Sequence, residues 1–173
     1  MSSTTDINTT LDQLVTLTRQ RELEAIRSVL ESLPRLSKGQ AFSRYMTLLY
    51  KGNGWLAKHV DRKDDKGADV LLANPKTPDS IFLIVQCKNQ RRRLTEAETK
   101  IEITKFEEKA RSEYGCHQFR VVAVNGFVDE ATKLGEFNLL LDNWSHVAEL
   151  IRRFDPDNST EPEIELFAHN QRT

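Results

Sequence analysis

Cysteine, tryptophan, histidine and long apolar runs are all scarce in this 173-residue chain, and each scarcity excludes something. The two cysteines, Cys87 and Cys116, cannot form the disulfide framework of a small secreted scaffold, so a reducing, cytoplasmic setting is expected. No apolar stretch approaches the ~18 residues that a membrane-spanning helix needs. The segment Met1 to Thr10 is rich in Ser and Thr and lacks a basic-then-apolar layout, so no secretory signal is read there. His59, His117, His146 and His169 show no ligand spacing and read as ordinary surface or partly buried residues. Charge of one sign is also lacking: the net is −1, from 25 Lys and Arg against 26 Asp and Glu. That balance conceals a basic middle, with 12 basic and 5 acidic residues from Lys38 to Arg93, and an acidic end, with 5 acidic and 1 basic from Asp155 to Thr173. A basic middle suits phosphates, although a solvated mixed-charge surface is the ordinary alternative.

What is present is 38% apolar and 29% charged, enough for one globular domain with a core. Thr10-x-x-Gln13 has the form of a capping box, and Leu11, Leu14, Val15, Leu23, Ile26, Leu30 and Leu33 continue at mostly helical spacing until Pro34. Ser37-x-x-Gln40 opens a second helix with Phe42, Tyr45, Met46 and Leu49 on one face, closed by Gly52-Asn53-Gly54. Strands are read over Trp55 to Val60, Ala68 to Ala73 and Ile81 to Lys88. A charged turn, Asp61 to Gly67, separates the first two, and a loop from Asn74 to Ser80 joins the last two as a hairpin. Thr95-x-x-Glu98 opens a helix that ends at Gly115. Strands follow over Phe119 to Val124 and Phe137 to Leu141, then a helix from Trp144 to Phe154. The order predicts an α/β fold with a mixed central sheet flanked by helices. Three stretches are delimited: an N-terminal helical extension (1–36), a core domain (37–154) and an acidic tail or linker (155–173).

The chemistry gathers at the end of Ile81 to Lys88. Alternation puts Gln86 and Lys88 on one face and Cys87 on the other. Folding the hairpin near residue 77 brings Asp69 beside Gln86, directly opposite if paired positions sum to 155 and diagonal if they sum to 153. A carboxylate and an amide oxygen, with the Cys87 backbone carbonyl as a third, are hard ligands suited to Mg²⁺. Lys88 would orient a water or stabilise charge on a phosphate. The ordinary alternative is a solvated strand end with Asp69 as a turn residue. Arg91, Arg92 and Arg93, with Asn89, form either a clamp on a nucleic-acid backbone or an exposed basic loop. Both cysteines read as structural.

These residues resemble the PD-(D/E)XK nuclease superfamily and, within it, the Mrr-like restriction-endonuclease group. That group carries an Asp at the start of one strand and Gln-x-Lys at the end of the next, here Gly67-Ala68-Asp69-Val70 and Gln86-Cys87-Lys88. Gly39-x-x-Phe42, Gly54 and Leu139-Leu140-Leu141-Asp142 extend the resemblance over roughly residues 37 to 152. It implies a restriction-endonuclease-like αβββαβ core with an extra N-terminal helix. It also implies Mg²⁺-dependent phosphodiester cleavage, usually of DNA, with Mn²⁺ able to substitute. Many members carry a glutamate after the helix phenylalanine, where this chain has Ser43. The nearest substitutes are Gln40 and the cluster Asp61, Asp64 and Asp65. Duplex cutting implies a homodimer or a module of a larger defence protein. A non-catalytic nucleic-acid-binding module, a junction resolvase and an RNA-cutting enzyme remain alternatives.

Overall fold

Residues 3–60 and 67–160 are described by the computed structural model. Helix α3 (Arg35–Gly52) is the central support. Phe42, Tyr45, Met46 and Leu49 recur at helical spacing and are fully buried, each contributing about 1.5–3 kcal/mol through the apolar area it removes from water. Pro34 is its N-cap, so the helix starts two residues before the expected Ser37 box. The single N-terminal helix expected over Leu11 to Leu33 is instead two, α1 (Ser3–Arg19) and α2 (Leu23–Ser32), and Thr10 lies inside α1 rather than at its start. The break falls at Arg21, a non-glycine residue at φ +61. Its guanidinium holds the bend by donating to Thr18 O at 2.8 Å and Phe154 O at 2.6 Å.

Five strands follow: β1 (Leu56–His59), β2 (Val70–Ala73), β3 (Leu83–Lys88), β4 (Phe119–Ala123) and β5 (Leu139–Asp142). Their order in the sheet is β1-β2-β3-β4-β5. The pairs β1–β2 and β2–β3 are antiparallel, and β3–β4 and β4–β5 are parallel, so the sheet is mixed as expected. The return from β3 to β4 runs through α4 (Glu96–Lys105), a π-helical stretch (Phe106–Ala110) and α5 (Arg111–Tyr114). Thr95 and Glu98 form both halves of the expected capping box. A short α6 (Asp129–Thr132) precedes β5, and α7 (Trp144–Arg152) follows it.

Apolar side chains fill both faces of the sheet. On one, Leu14, Ile26, Leu30, Phe42 and Val147 meet Val70, Leu72, Val85 and Cys87. On the other, Leu94 and Phe106 meet Leu71, Ile84, Phe119 and Val121. The unbroken apolar run in β3 is therefore required, because a central strand has no solvated face. No described helix is long and apolar enough to cross a membrane. Of the acidic tail, Asp155 donates its N–H to Gly52 O at 2.8 Å, and residues 161–173 lie outside the described range, as do Asp61, Asp64 and Asp65.

Candidate active site

Asp69 is delivered by the connection into β2. Gly67, two residues earlier, has φ +86, and a Cβ there would stand 3.0 Å from the carbonyl carbon of Lys105, the last residue of α4. Glycine is needed both for that conformation and for the close approach to α4. The Cα register pairs Val70 with Val85, Leu71 with Ile84 and Leu72 with Leu83, each summing to 155, and continued one residue past Val70 it would set Asp69 opposite Gln86. The hydrogen bonds Asp69 N–H to Val85 O (2.9 Å) and Phe82 N–H to Leu72 O (2.8 Å) are offset by one residue from this register. Asp69, Gln86 and Lys88 all line one cavity of about 990 Å³ at the strand ends.

Asp69 Oδ2 accepts the N–H of Cys87 at 2.8 Å. Ile84 and Lys88 direct their backbone groups to the β4 side, through Ile84 N–H to Gln118 O and Val124 N–H to Lys88 O. A strand residue's N–H and C=O point to the same side, so the Cys87 carbonyl emerges on the Asp69 side. The Cys87 sulfur packs into the opposite core, where burial and then the Asp69 charge push the thiol well above its ordinary value. It is a structural residue, not a nucleophile.

Gln86 is 6% exposed, and among the described residues its Oε1 has no hydrogen-bond partner. A buried amide oxygen without a partner costs free energy unless a cation or water meets it. Its neighbours, the Asp69 carboxylate and the Cys87 carbonyl, complete an oxygen set that fits a hard divalent cation. Among the described residues no group of three or more His, Cys, Asp or Glu side chains could hold a metal, and of the three oxygens named here only that of Asp69 carries a charge. Lys88 Nζ lies 2.6 Å from Glu102 Oε1, with the two side chains 24% and 6% exposed.

The cavity's other wall comes from α3 and the loop after β3. Gln40 and Ser43 line it, as the sequence suggested. Ser43 Oγ donates to Gln40 O at 3.1 Å and lies 2.9 Å from His59 Nε2. Arg91 and Arg92 line the cavity and Arg93 does not. Arg92 is committed to Glu98 by two contacts, 2.6 and 3.1 Å, and this bidentate partner holds the Glu98 carboxyl down at about 2. Asn89 is buried and donates to Leu30 O at 2.9 Å, which ties the end of β3 to α2, while the residue also lines the cavity and its Oδ1 has no hydrogen-bond partner among the described residues.

Lys38 and Glu102 were not singled out from the sequence, Glu98 was read only as a capping residue, and His59 only as an ordinary histidine. Lys38 is 8% exposed on the cavity wall, and burial, then the Arg91 charge, lower its pKa. It fills an unspecified position between Ser37 and Gly39, where a lysine in a helix's first turn reads as an ordinary solvated residue. No curated protein matches the chain. Residues 35–150 match a family model, Mrr_cat, described as a restriction endonuclease.

Proposed function

Because the chain belongs to the Mrr_cat restriction-endonuclease family of the PD-(D/E)XK nuclease superfamily, we propose that it is a Mg²⁺-dependent endonuclease acting on DNA phosphodiester bonds, with Mn²⁺ able to substitute. The observation that carries this reading is the buried, unpartnered Gln86 Oε1 in one cavity with Asp69 and Lys88. Asp69, Gln86 and the Cys87 carbonyl would hold the ion. When bound, it would acidify a water and shield charge on the phosphate oxygens. Lys88 presents its ammonium to that water or to a non-bridging oxygen. Attack by the water oxygen on phosphorus breaks one P–O ester bond, leaving one phosphate end and one hydroxyl end.

Polymer rather than single nucleotide is favoured by the cavity's basic wall. Arg35, Lys38 and Arg91 lie along it beyond the Asp69–Gln86 end and suit neighbouring backbone phosphates. With Asp69 the one charged member of this ligand set, the set would hold the ion weakly alone and more tightly once the scissile phosphate adds its oxygens. Cutting both strands requires two such sites, hence a homodimer or a larger assembly, as in restriction or DNA processing.

Incubating the protein with plasmid, branched DNA and RNA at millimolar Mg²⁺ or Mn²⁺ tests the reading. Metal-dependent cleavage of DNA that Asp69→Ala abolishes and Lys88→Ala reduces to a low residual rate, with folding intact, is the expected result. Binding without cleavage would instead support a non-catalytic module, the reading favoured by Ser43 standing where many relatives carry glutamate. Preference for branched DNA or RNA would redirect the substrate.

A further inference from the structure

Helix α4 and the π-helical stretch after it turn Thr99, Glu102, Phe106 and Ala110 toward the sheet, and all four are buried. Three of these positions suit an inward face. The carboxylate at the fourth does not, because a buried charge is costly without a close partner. Its partner is Lys88, at 2.6 Å; Lys105 approaches only to 3.9 Å and is largely exposed. Glu102 Oε2 is buried with no hydrogen-bond partner among the described residues. Ion pairs of this kind are often no more stabilising than apolar residues of the same volume, so stability alone is a weak reason for one here.

Glu102 is not on the cavity wall, whereas Lys88 is. It therefore has no access to a bound phosphate and can act only through its partner. We propose that Glu102 is a positioning residue that fixes the Lys88 ammonium at the cavity mouth. The inference rests on the hydrolytic reading above. A lysine stem has four rotatable carbons, and an untethered ammonium samples solvent. One N–H of Lys88 engages Glu102, and the remaining two are directed by that anchor. The ion pair also links β3 to α4, so the placement of the ammonium depends on how α4 packs.

The test compares wild type, Glu102→Gln, Glu102→Asp, Lys88→Ala and the double variant Lys88→Ala/Glu102→Gln. Steady-state cleavage of duplex DNA in Mg²⁺ should show kcat lower by roughly 10–100-fold in Glu102→Gln, the size of a misplacement effect, with KM within about twofold. Glu102→Asp keeps the charge but retracts it, and should fall between. In the Lys88→Ala background, Glu102→Gln should cause no further loss, because a residue acting through Lys88 has nothing left to position. Acetylation of Lys88, followed by mass spectrometry, gives a readout apart from activity. It should be slow in wild type and rise several-fold in Glu102→Gln, with melting temperatures of the two proteins within a few degrees. Unchanged kcat in Glu102→Gln, an added loss in the double variant, or equal labelling rates would overturn the inference. A wild-type protein that cleaves no nucleic acid would overturn the nuclease reading itself, whereas a cleaving wild type with an indifferent Glu102→Gln overturns this proposal alone.

Discussion

Replacing Gln86 by Met should make the metal-free protein more stable and the enzyme less active. Gln86 is 6% exposed, and its Oε1 is buried without a partner. An unsatisfied buried polar atom costs about 1–3 kcal/mol, and Met has nearly the same shape without that oxygen. A near-isosteric change of this kind disturbs packing little. For a chain of this size the gain corresponds to a rise in melting temperature of roughly 2–12 °C. Calorimetry in EDTA measures it directly. Adding Mg²⁺ at ten times its dissociation constant should stabilise wild type by about 1.4 kcal/mol through mass action, and Gln86→Met by less. Cleavage should fall while stability rises, as at sites where function retains an unfavourable group. A Gln86→Met protein that is less stable than wild type in EDTA by more than about 1 kcal/mol would refute the reasoning, because the amide oxygen would then have a satisfying partner in the metal-free state.

Other expectations follow from single contacts. Lys38→Gln should reduce the slope of log binding constant against log salt by about one for duplex DNA, and an unchanged slope would remove Lys38 from the phosphate interface. His146 is held down at about 4, first by burial and then by Arg120, with Tyr50 Oη 2.8 Å from its Nε2. The unfolded chain takes up that proton near pH 6.5 while the folded one does not, so the histidine's contribution is present above about 6.5 and is lost as pH falls toward 4. Melting temperature should therefore drop more steeply between those values in wild type than in His146→Gln, and parallel curves would contradict it. At Gly52 an added Cβ would lie 2.2 Å from the Phe154 ring, so Gly52→Ala should cost about 1–3 kcal/mol in urea denaturation by overpacking. No loss there would mean that Phe154 is not packed against α3.

Local signals carried the site's core, and three-dimensional placement supplied the rest. The apolar run ending in Gln86-Cys87-Lys88 identified a buried strand, and alternation then sorted those three residues between faces. The pairing sum of 155, seen from Val70 and Val85 to Leu72 and Leu83, was legible because one loop fixes a hairpin's register. Thr95 and Glu98 were legible because a capping box is a four-residue pattern. Arg21 was not, because no glycine or proline marks the break, and its left-handed bend is held by a contact with distant Phe154. Glu102 sits among Lys100, Lys105 and other glutamates, so in sequence it resembles a solvated helix face. Only the packing of α4 on β3 shows it pointing inward. Arg92 had the right chemistry for a backbone clamp, but Glu98 engages it.

The central claim is that Asp69, Gln86 and the Cys87 carbonyl share one divalent cation. Crystals of the protein with duplex DNA and Mn²⁺, measured at a wavelength where manganese scatters anomalously, test it most directly. The account requires a peak within about 2.5 Å of an Asp69 carboxylate oxygen and of Gln86 Oε1. A fully occupied manganese site elsewhere, with Gln86 Oε1 meeting only protein or water, would contradict it.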